Sequence, residues 1–274
     1  MTGRRCLFVI LMIFAVIVPE AVHSSKVAAF SRDETKPFHA SENVNADLDA
    51  VLARARAHGK LALILMGGNW CPDSLGLLAH FKDPKVAAVL DKHYEKLLVD
   101  VGAFDRGAEA NLRFGMPVIY GTPTVLIVDP VNEKLLNQDD LQQFFTAAAM
   151  NADDVAAYFI TKADPAVRYA KAEVVNSGLL EKLYVDIAAF EEIQAKRIRK
   201  GFSIVGPMVV MEKEDRPDNF YALWGQLRSL RYQVPNDLMT LRATARRRVA
   251  LGETDITLDF PAYPPLSWET AKVD

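Results

Sequence analysis

The run Leu61-Ala62-Leu63-Ile64-Leu65-Met66 contains no polar residue and passes at once into Gly67-Gly68-Asn69. An apolar hexapeptide bounded by turn residues suits a strand buried on both faces, which requires helices on either side of a sheet. The bend then delivers Trp70 and Cys71 into Pro72. Proline is favoured in the first turn of a helix, where its missing N–H would have had no partner. The pattern predicts a helix from Pro72 to about Phe81 and places Cys71 at its N-terminus. There, unpaired backbone N–H groups and the positive end of the helix dipole favour a thiolate.

The flanking chain continues the alternation. Leu48, Val51, Leu52 and Ala55 recur at helical spacing after Asn45, and the helix ends near His58 with Gly59 as its terminating glycine. Asp83-Pro84 starts a short helix through Val86, Val89 and Leu90. Lys96–Val101 reads as a second buried strand, 107–114 as a helix closed by Gly115, Thr124–Val128 as a third strand, and Lys134–Leu136 as its hairpin partner. Asn151 opens a helix with Val155, Tyr158, Phe159 and Ile160 on its apolar face. This order is α/β in class.

After Asp164-Pro165 the texture becomes helical. Leu179, Leu183, Ile187, Phe190 and Ile193 predict a long helix closed by Lys196, Arg197, Arg199 and Lys200, cations that suit a C-terminal dipole end. Phe202–Met211, interrupted by Gly206 and Pro207, reads as a strand or an irregular core segment. Phe220–Leu230 and Leu238–Leu251 predict two helices, with Arg246, Arg247 and Arg248 near the end of the second. Pro261, Pro264 and Pro265 give the last stretch an extended character.

At the N-terminus, Arg4 and Arg5 precede the apolar run Cys6–Val18, which Pro19-Glu20 breaks before the small residues Ser24 and Ser25. This is the layout of a secretory signal. An uncleaved N-terminal membrane anchor is the alternative, although a run of about 13 residues falls short of the ~20 that a span needs. The expected organisation is a signal peptide over 1–24, a linker or loosely docked arm over 25–44, an α/β domain over 45–164, and a mostly helical region of unassigned role over 165–274. Cleavage would place the protein in the periplasm or outside the cell and remove Cys6. Of two cysteines in the chain, Cys71 would remain, without a partner for an intramolecular disulfide.

Residues 47–163 resemble the thioredoxin superfamily, and within it the secreted thioredoxin-like proteins with a Trp-Cys-Pro-Asp-Cys site. The resemblance is carried by the strand before Trp70-Cys71-Pro72-Asp73, by Phe81-Lys82-Asp83-Pro84, by Leu98-Val99-Asp100-Val101, and by Gly121-Thr122-Pro123-Thr124. It implies a thioredoxin-like fold, a central mixed sheet flanked by helices, to which the helical C-terminal extension is added. It also implies that Pro123 is cis and packs beside the sulfur of Cys71. Thr122 would offer backbone groups to an extended peptide added as a strand, on a face completed by Trp70 and Pro72. Two departures stand out. Ser74 occupies the position of the resolving cysteine; a serine hydroxyl can hydrogen-bond to a thiolate but cannot attack a mixed disulfide. Leu65 stands where many thioredoxins bury an aspartate that serves that second cysteine.

Two functions follow from the resemblance. One is a peptide- or protein-binding module, chaperone-like or scaffolding, that uses the Cys71 and Pro123 face for its clients. The other is single-thiol disulfide exchange or isomerisation by Cys71, with glutathione or another external thiol completing the cycle. The negative charge of Asp73 would oppose a thiolate there, and the helix dipole would favour it. A free thiol in an oxidising compartment is a liability, and the extension is the segment expected to restrict access to it.

Other chemistries have little support. The 32 Lys and Arg against 35 Asp and Glu give a formal charge of −3, so no nucleic-acid footprint is expected. His23, His39, His58, His80 and His93 have no metal-ligand spacing, two cysteines cannot build a thiolate zinc site, and no cofactor is called for. Asp139-Asp140 and Glu191-Glu192 are adjacent pairs that do not face each other on a helix, and are expected to be solvated charge. Tyr221 and Trp224, near Phe220, are expected in the core.

Overall fold

In the computed structural model, residues 36–166 and 178–270 are described; the expected signal over 1–24, with Cys6 and His23, lies outside them. The apolar hexapeptide forms β1 (Leu61–Gly67), buried at every position. Its alternate side chains enter two cores, as the twofold periodicity of a strand requires. Leu61, Leu63 and Leu65 join Val125 and Ile127 of β3 (Thr124–Asp129) against α2 (Pro72–His80), α3 (Pro84–His93) and α5 (Ala152–Ala163). Ala62, Ile64 and Met66 join Leu126 and Val128 against α1 (Val44–His58) and α4 (Ala108–Arg113).

The sheet order is β2-β1-β3-β4, with β2 at Tyr94–Asp100 and β4 at Lys134–Leu135. β2 runs parallel to β1, with Leu61 opposite Tyr94, and β3 runs antiparallel, with Met66 opposite Thr124. β4 returns as the hairpin partner of β3. This mixed sheet with helices on both faces is the thioredoxin-like α/β fold.

Local chemistry sets the helix ends. Asn43, two residues before the expected cap at Asn45, accepts from the Ala46 N–H and starts α1. Gly59 closes it in the left-handed region at φ 63°. Asp83 and Asn151 cap α3 and α5 by accepting from Lys85 N and Asp154 N.

The C-terminal part corrects three expectations. Phe202–Val209 is neither strand nor irregular; it completes α6 (Gly178–Val209). Ile198, Phe202, Val205 and Val209 are buried at spacings of four, three and four, a helical period that Gly206 and Pro207 obscure in the sequence. Lys196–Lys200 consequently sit inside the helix rather than at its end. Arg197 pairs with Glu269, and Arg199 donates to Pro117 O at 2.7 Å. The two helices expected around Pro235 are one, α7 (Phe220–Ala250). Pro235 removes the helical hydrogen bond to the residue 231 carbonyl, but Leu230, Val234, Leu238 and Leu241 keep a continuous buried face across it. Contacts of Tyr184 with Arg246, Glu191 with Arg242 and Gly201 with Leu227 make α6 and α7 antiparallel.

The extension packs on the α/β part rather than beside it. Val118, Tyr120 and Phe145 belong to the core formed by α6 and α7. At Gly206 the backbone of α6 comes so close to the loop after β2 that an added Cβ would lie 2.0 Å from the Ala103 carbonyl oxygen. A short α8 (Ser267–Thr270) ends the described chain, held by a two-pronged ion pair from Arg197 to Glu269 at 2.7 and 2.8 Å. Among the described residues no helix is long and apolar enough to cross a membrane.

Candidate active site

Cys71 occupies the cap position of α2 in extended geometry, φ −95° and ψ 113°, with Pro72 as the first helical residue. Its N–H donates to Gly68 O at 3.1 Å, closing the Gly-Gly-Asn bend, and its carbonyl accepts from Leu75 N at 3.2 Å. Sγ lies 3.4 Å from the Thr122 carbonyl oxygen, within reach of a thiol hydrogen bond. The Thr122–Pro123 peptide is cis. Cys71, Pro72, Thr122 and Pro123 thus meet at one end of the sheet, where the ends of β1 and β3 adjoin.

The other expected site residues are placed differently. Trp70 does not stand free on this face: its Nε1 donates to Gly102 O at 2.7 Å, and its ring packs on Phe104 with centroids 5.1 Å apart. Phe104 in turn stacks on Phe202 of α6 at 4.0 Å. Ser74 is fully buried, and its Oγ has no hydrogen-bond partner among the described residues. It sits beneath Gly67, where an added Cβ would lie 2.7 Å from Ser74 Oγ and 2.6 Å from Phe38 Cζ. Phe38 belongs to the segment expected as a linker, yet it is buried. Its backbone N–H donates to Asn69 Oδ1 at 3.1 Å and its carbonyl accepts from Asn69 Nδ2 at 2.7 Å. A single aromatic residue among polar ones carries no periodicity, which is why the sequence concealed this docking. Asp73 accepts from Ala148 N at 3.0 Å, so its carboxylate serves the segment before α5.

Arg231, which no motif in the sequence singles out, reaches from the extension to the loop that carries Pro123. It is 4 % exposed, and Nη1 donates to Tyr120 O at 2.9 Å, in the loop that carries Pro123. Its guanidinium carbon lies 4.5 Å from the Trp224 ring centroid, 5.6 Å from Phe202 and 5.9 Å from Tyr232. Its Nε has no partner among the described residues. Burial pushes the Arg231 pKa down to about 10, while Tyr232 and Cys71 act to keep it protonated and Arg228 acts against it; at neutral pH it is a cation. Cys71 itself is 5 % exposed.

The loop carbonyls are correspondingly engaged: Tyr120 O by Arg231, Gly121 O by Thr124 Oγ1 at 2.7 Å, and Thr122 O by Cys71. A peptide added as a strand would have to compete for these acceptors.

Both carboxylate pairs expected as solvated charge are in fact paired. Glu191 is 5 % exposed and accepts from Tyr120 OH at 2.6 Å and from Arg242 at 2.7 Å. Asp140 pairs with Lys162, and Asp139 lies 3.6 Å from Arg246. No cluster of three or more metal-ligating side chains occurs among the described residues. His58 contacts Glu95 at 2.9 Å and His80 contacts Ala147 O at 3.1 Å. Tyr221 is exposed, whereas Trp224 packs against the core of α6 and α7.

No family model and no curated protein matches the chain. Among solved structures, the chain is similar to the disulphide isomerase from Xylella fastidiosa Temecula1, at 27% sequence identity and a TM-score of 0.42, over 45% of this chain and 94% of that one.

Proposed function

We propose that this protein performs single-thiol disulfide exchange at Cys71 with small disulfides of the glutathione type. The supporting observation is the placement of Cys71: its sulfur sits at a helix N-terminus beside cis Pro123, with Ser74 buried behind it in place of a second thiol. In the cycle, the Cys71 thiol loses its proton to solvent, and the thiolate attacks one sulfur of a glutathione disulfide. The S–S bond breaks, one glutathione leaves as thiolate, and the other stays as a mixed disulfide on Cys71. A second external thiolate then attacks the glutathione sulfur of that adduct, regenerating Cys71 and forming a new disulfide. Electrons balance within each exchange, and no cofactor is required.

The client-binding reading of the same face has less support, because the Tyr120 and Gly121 carbonyls are engaged within the fold and the Trp70 indole N–H is bonded to Gly102 O. The low exposure of Cys71 favours small partners over folded proteins. Export through the signal expected over 1–24 would place this chemistry in the periplasm or outside the cell. Intact-mass measurement after incubation with glutathione disulfide is the test. One glutathione adduct that maps to Cys71 and is released by a small thiol is expected; no adduct on a folded protein would reject exchange.

A further inference from the structure

We propose that the loop from Gly102 to Gly107 is a gate that controls access to Cys71, with Phe104 as its strained latch and the extension as the part that holds the latch shut. This adds regulation to the single-thiol site and rests on that reading for its purpose. Phe104 has φ 66°, in the left-handed region, where a bulky side chain crowds the backbone and residues other than glycine are uncommon. Such a residue persists only where its surroundings over-determine it. The extension supplies those surroundings. Phe202 of α6 stacks on the Phe104 ring, with centroids 4.0 Å apart and planes 10° apart. From α7, the Trp224 ring lies at 6.3 Å and the Arg231 guanidinium carbon at 6.0 Å.

The same ring meets Trp70 with centroids 5.1 Å apart, and the Trp70 indole N–H donates to Gly102 O at 2.7 Å. The loop therefore holds the residue before Cys71 both by its ring and by its N–H. Cys71 is 5 % exposed, and a buried thiol meets a reagent only when the structure around it opens. The loop is built to move as a unit. Gly102 and Gly107 bound it at φ 54° and 74°, and glycine leaves that region as readily as it enters. Ala103 N bonds within the loop to Asp105 Oδ1 at 2.8 Å, and Asp105 and Arg106 at its outer edge are exposed. Release of Phe104 to a negative φ relieves its strain, withdraws its ring from Trp70 and Phe202, and leaves the Trp70-Cys71 segment free to open. Stacking on the extension opposes that relief, so the closed form is favoured and the open form stays within reach.

The test is alkylation of Cys71 by iodoacetamide, a neutral reagent, in the intact protein. In the wild type, reaction through a local opening should rise with urea far less steeply than the global unfolding constant does. A rate that climbs with the full slope of unfolding would overturn the proposal, and it decides the matter even if a variant does not fold. Phe202→Leu leaves Phe104 strained without its stacking partner and should speed alkylation about tenfold. Phe104→Ala removes the ring but keeps the strain, whereas Phe104→Gly removes both. A strained latch therefore predicts that Phe104→Ala labels several-fold faster than Phe104→Gly. Packing alone predicts the opposite, since glycine fills less space and loosens the backbone. Phe104→Gly labelled as fast as Phe104→Ala or faster would overturn the proposal, as would Phe202→Leu labelled at the wild-type rate. The expected order in a protein that forms no glutathione adduct would uphold the gate and reject exchange.

Discussion

The Tyr120 hydroxyl donates to Glu191 Oε1 at 2.6 Å and so ties the loop carrying cis Pro123 to the middle of α6. Arg242 of α7 binds the other oxygen of that carboxylate at 2.7 Å, so one buried group joins three segments. Burial first, and then the Glu191 charge, holds the Tyr120 phenol protonated well above its usual range, and the phenol therefore acts as the donor. Removing Glu191 strands Arg242 in the interior, and Glu191→Ala should cost about 3–5 kcal/mol. Tyr120→Phe removes one hydrogen bond but leaves the ion pair, and should cost about 1–3 kcal/mol. Denaturant unfolding of the two variants should show this order.

At Ser74, the hydroxyl is fully buried and has no hydrogen-bond partner among the described residues. Deleting it leaves no other group unsatisfied, so Ser74→Ala should be within about 1 kcal/mol of the wild type or more stable. Ser74→Cys places a second thiol one helical turn from Cys71 and should form an internal disulfide under mild oxidation. That variant should reduce an insulin-like disulfide that the wild type leaves intact. Persistence of two free thiols under oxidation would show that the two positions do not meet.

The α/β part was legible because its signals are local. Leu61–Met66, Pro72, Gly59 and the Asp83 and Asn151 caps each encode their structure within a few residues, and the cysteine site follows from them. Arg231 and Glu191 were not legible, because their partners lie 111 and 71 residues away in sequence. A lone arginine or an adjacent pair of glutamates reads as surface charge until tertiary packing supplies the partner. Pro235 and Gly206-Pro207 misled in the opposite direction: local helix breakers were overridden by apolar faces that continue across them, and Gly206 is required where α6 meets the Ala103 carbonyl.

That close approach gives a further prediction. Gly206→Ala forces α6 and the loop after β2 apart and should destabilise the protein by about 1–3 kcal/mol. Because the same loop carries Gly102 and Phe104 against Trp70, the variant should also label faster at Cys71 with a bulky maleimide. An unchanged labelling rate would separate this packing from access to the thiol.

The C-terminal anchor should respond to acid. The hydrogen bond from Arg197 holds the Glu269 carboxyl below the usual carboxylate range; burial opposes this, and the Leu266 N–H adds to it. A carboxylate with a lowered folded pKa contributes stability above its unfolded value near ~4.3, and loses it as pH falls through the folded value. Trp268 fluorescence should therefore report loosening of α8 below about pH 4 in the wild type. Glu269→Gln should already be loosened at neutral pH and show little further change.

The most direct measurement is turnover of a glutathionylated peptide in the presence of glutathione. The account predicts that the full-length protein releases the peptide thiol faster than an equal concentration of free cysteine, and that Cys71→Ser abolishes the difference. A wild-type rate no greater than that of free cysteine, or one unchanged in Cys71→Ser, would contradict it.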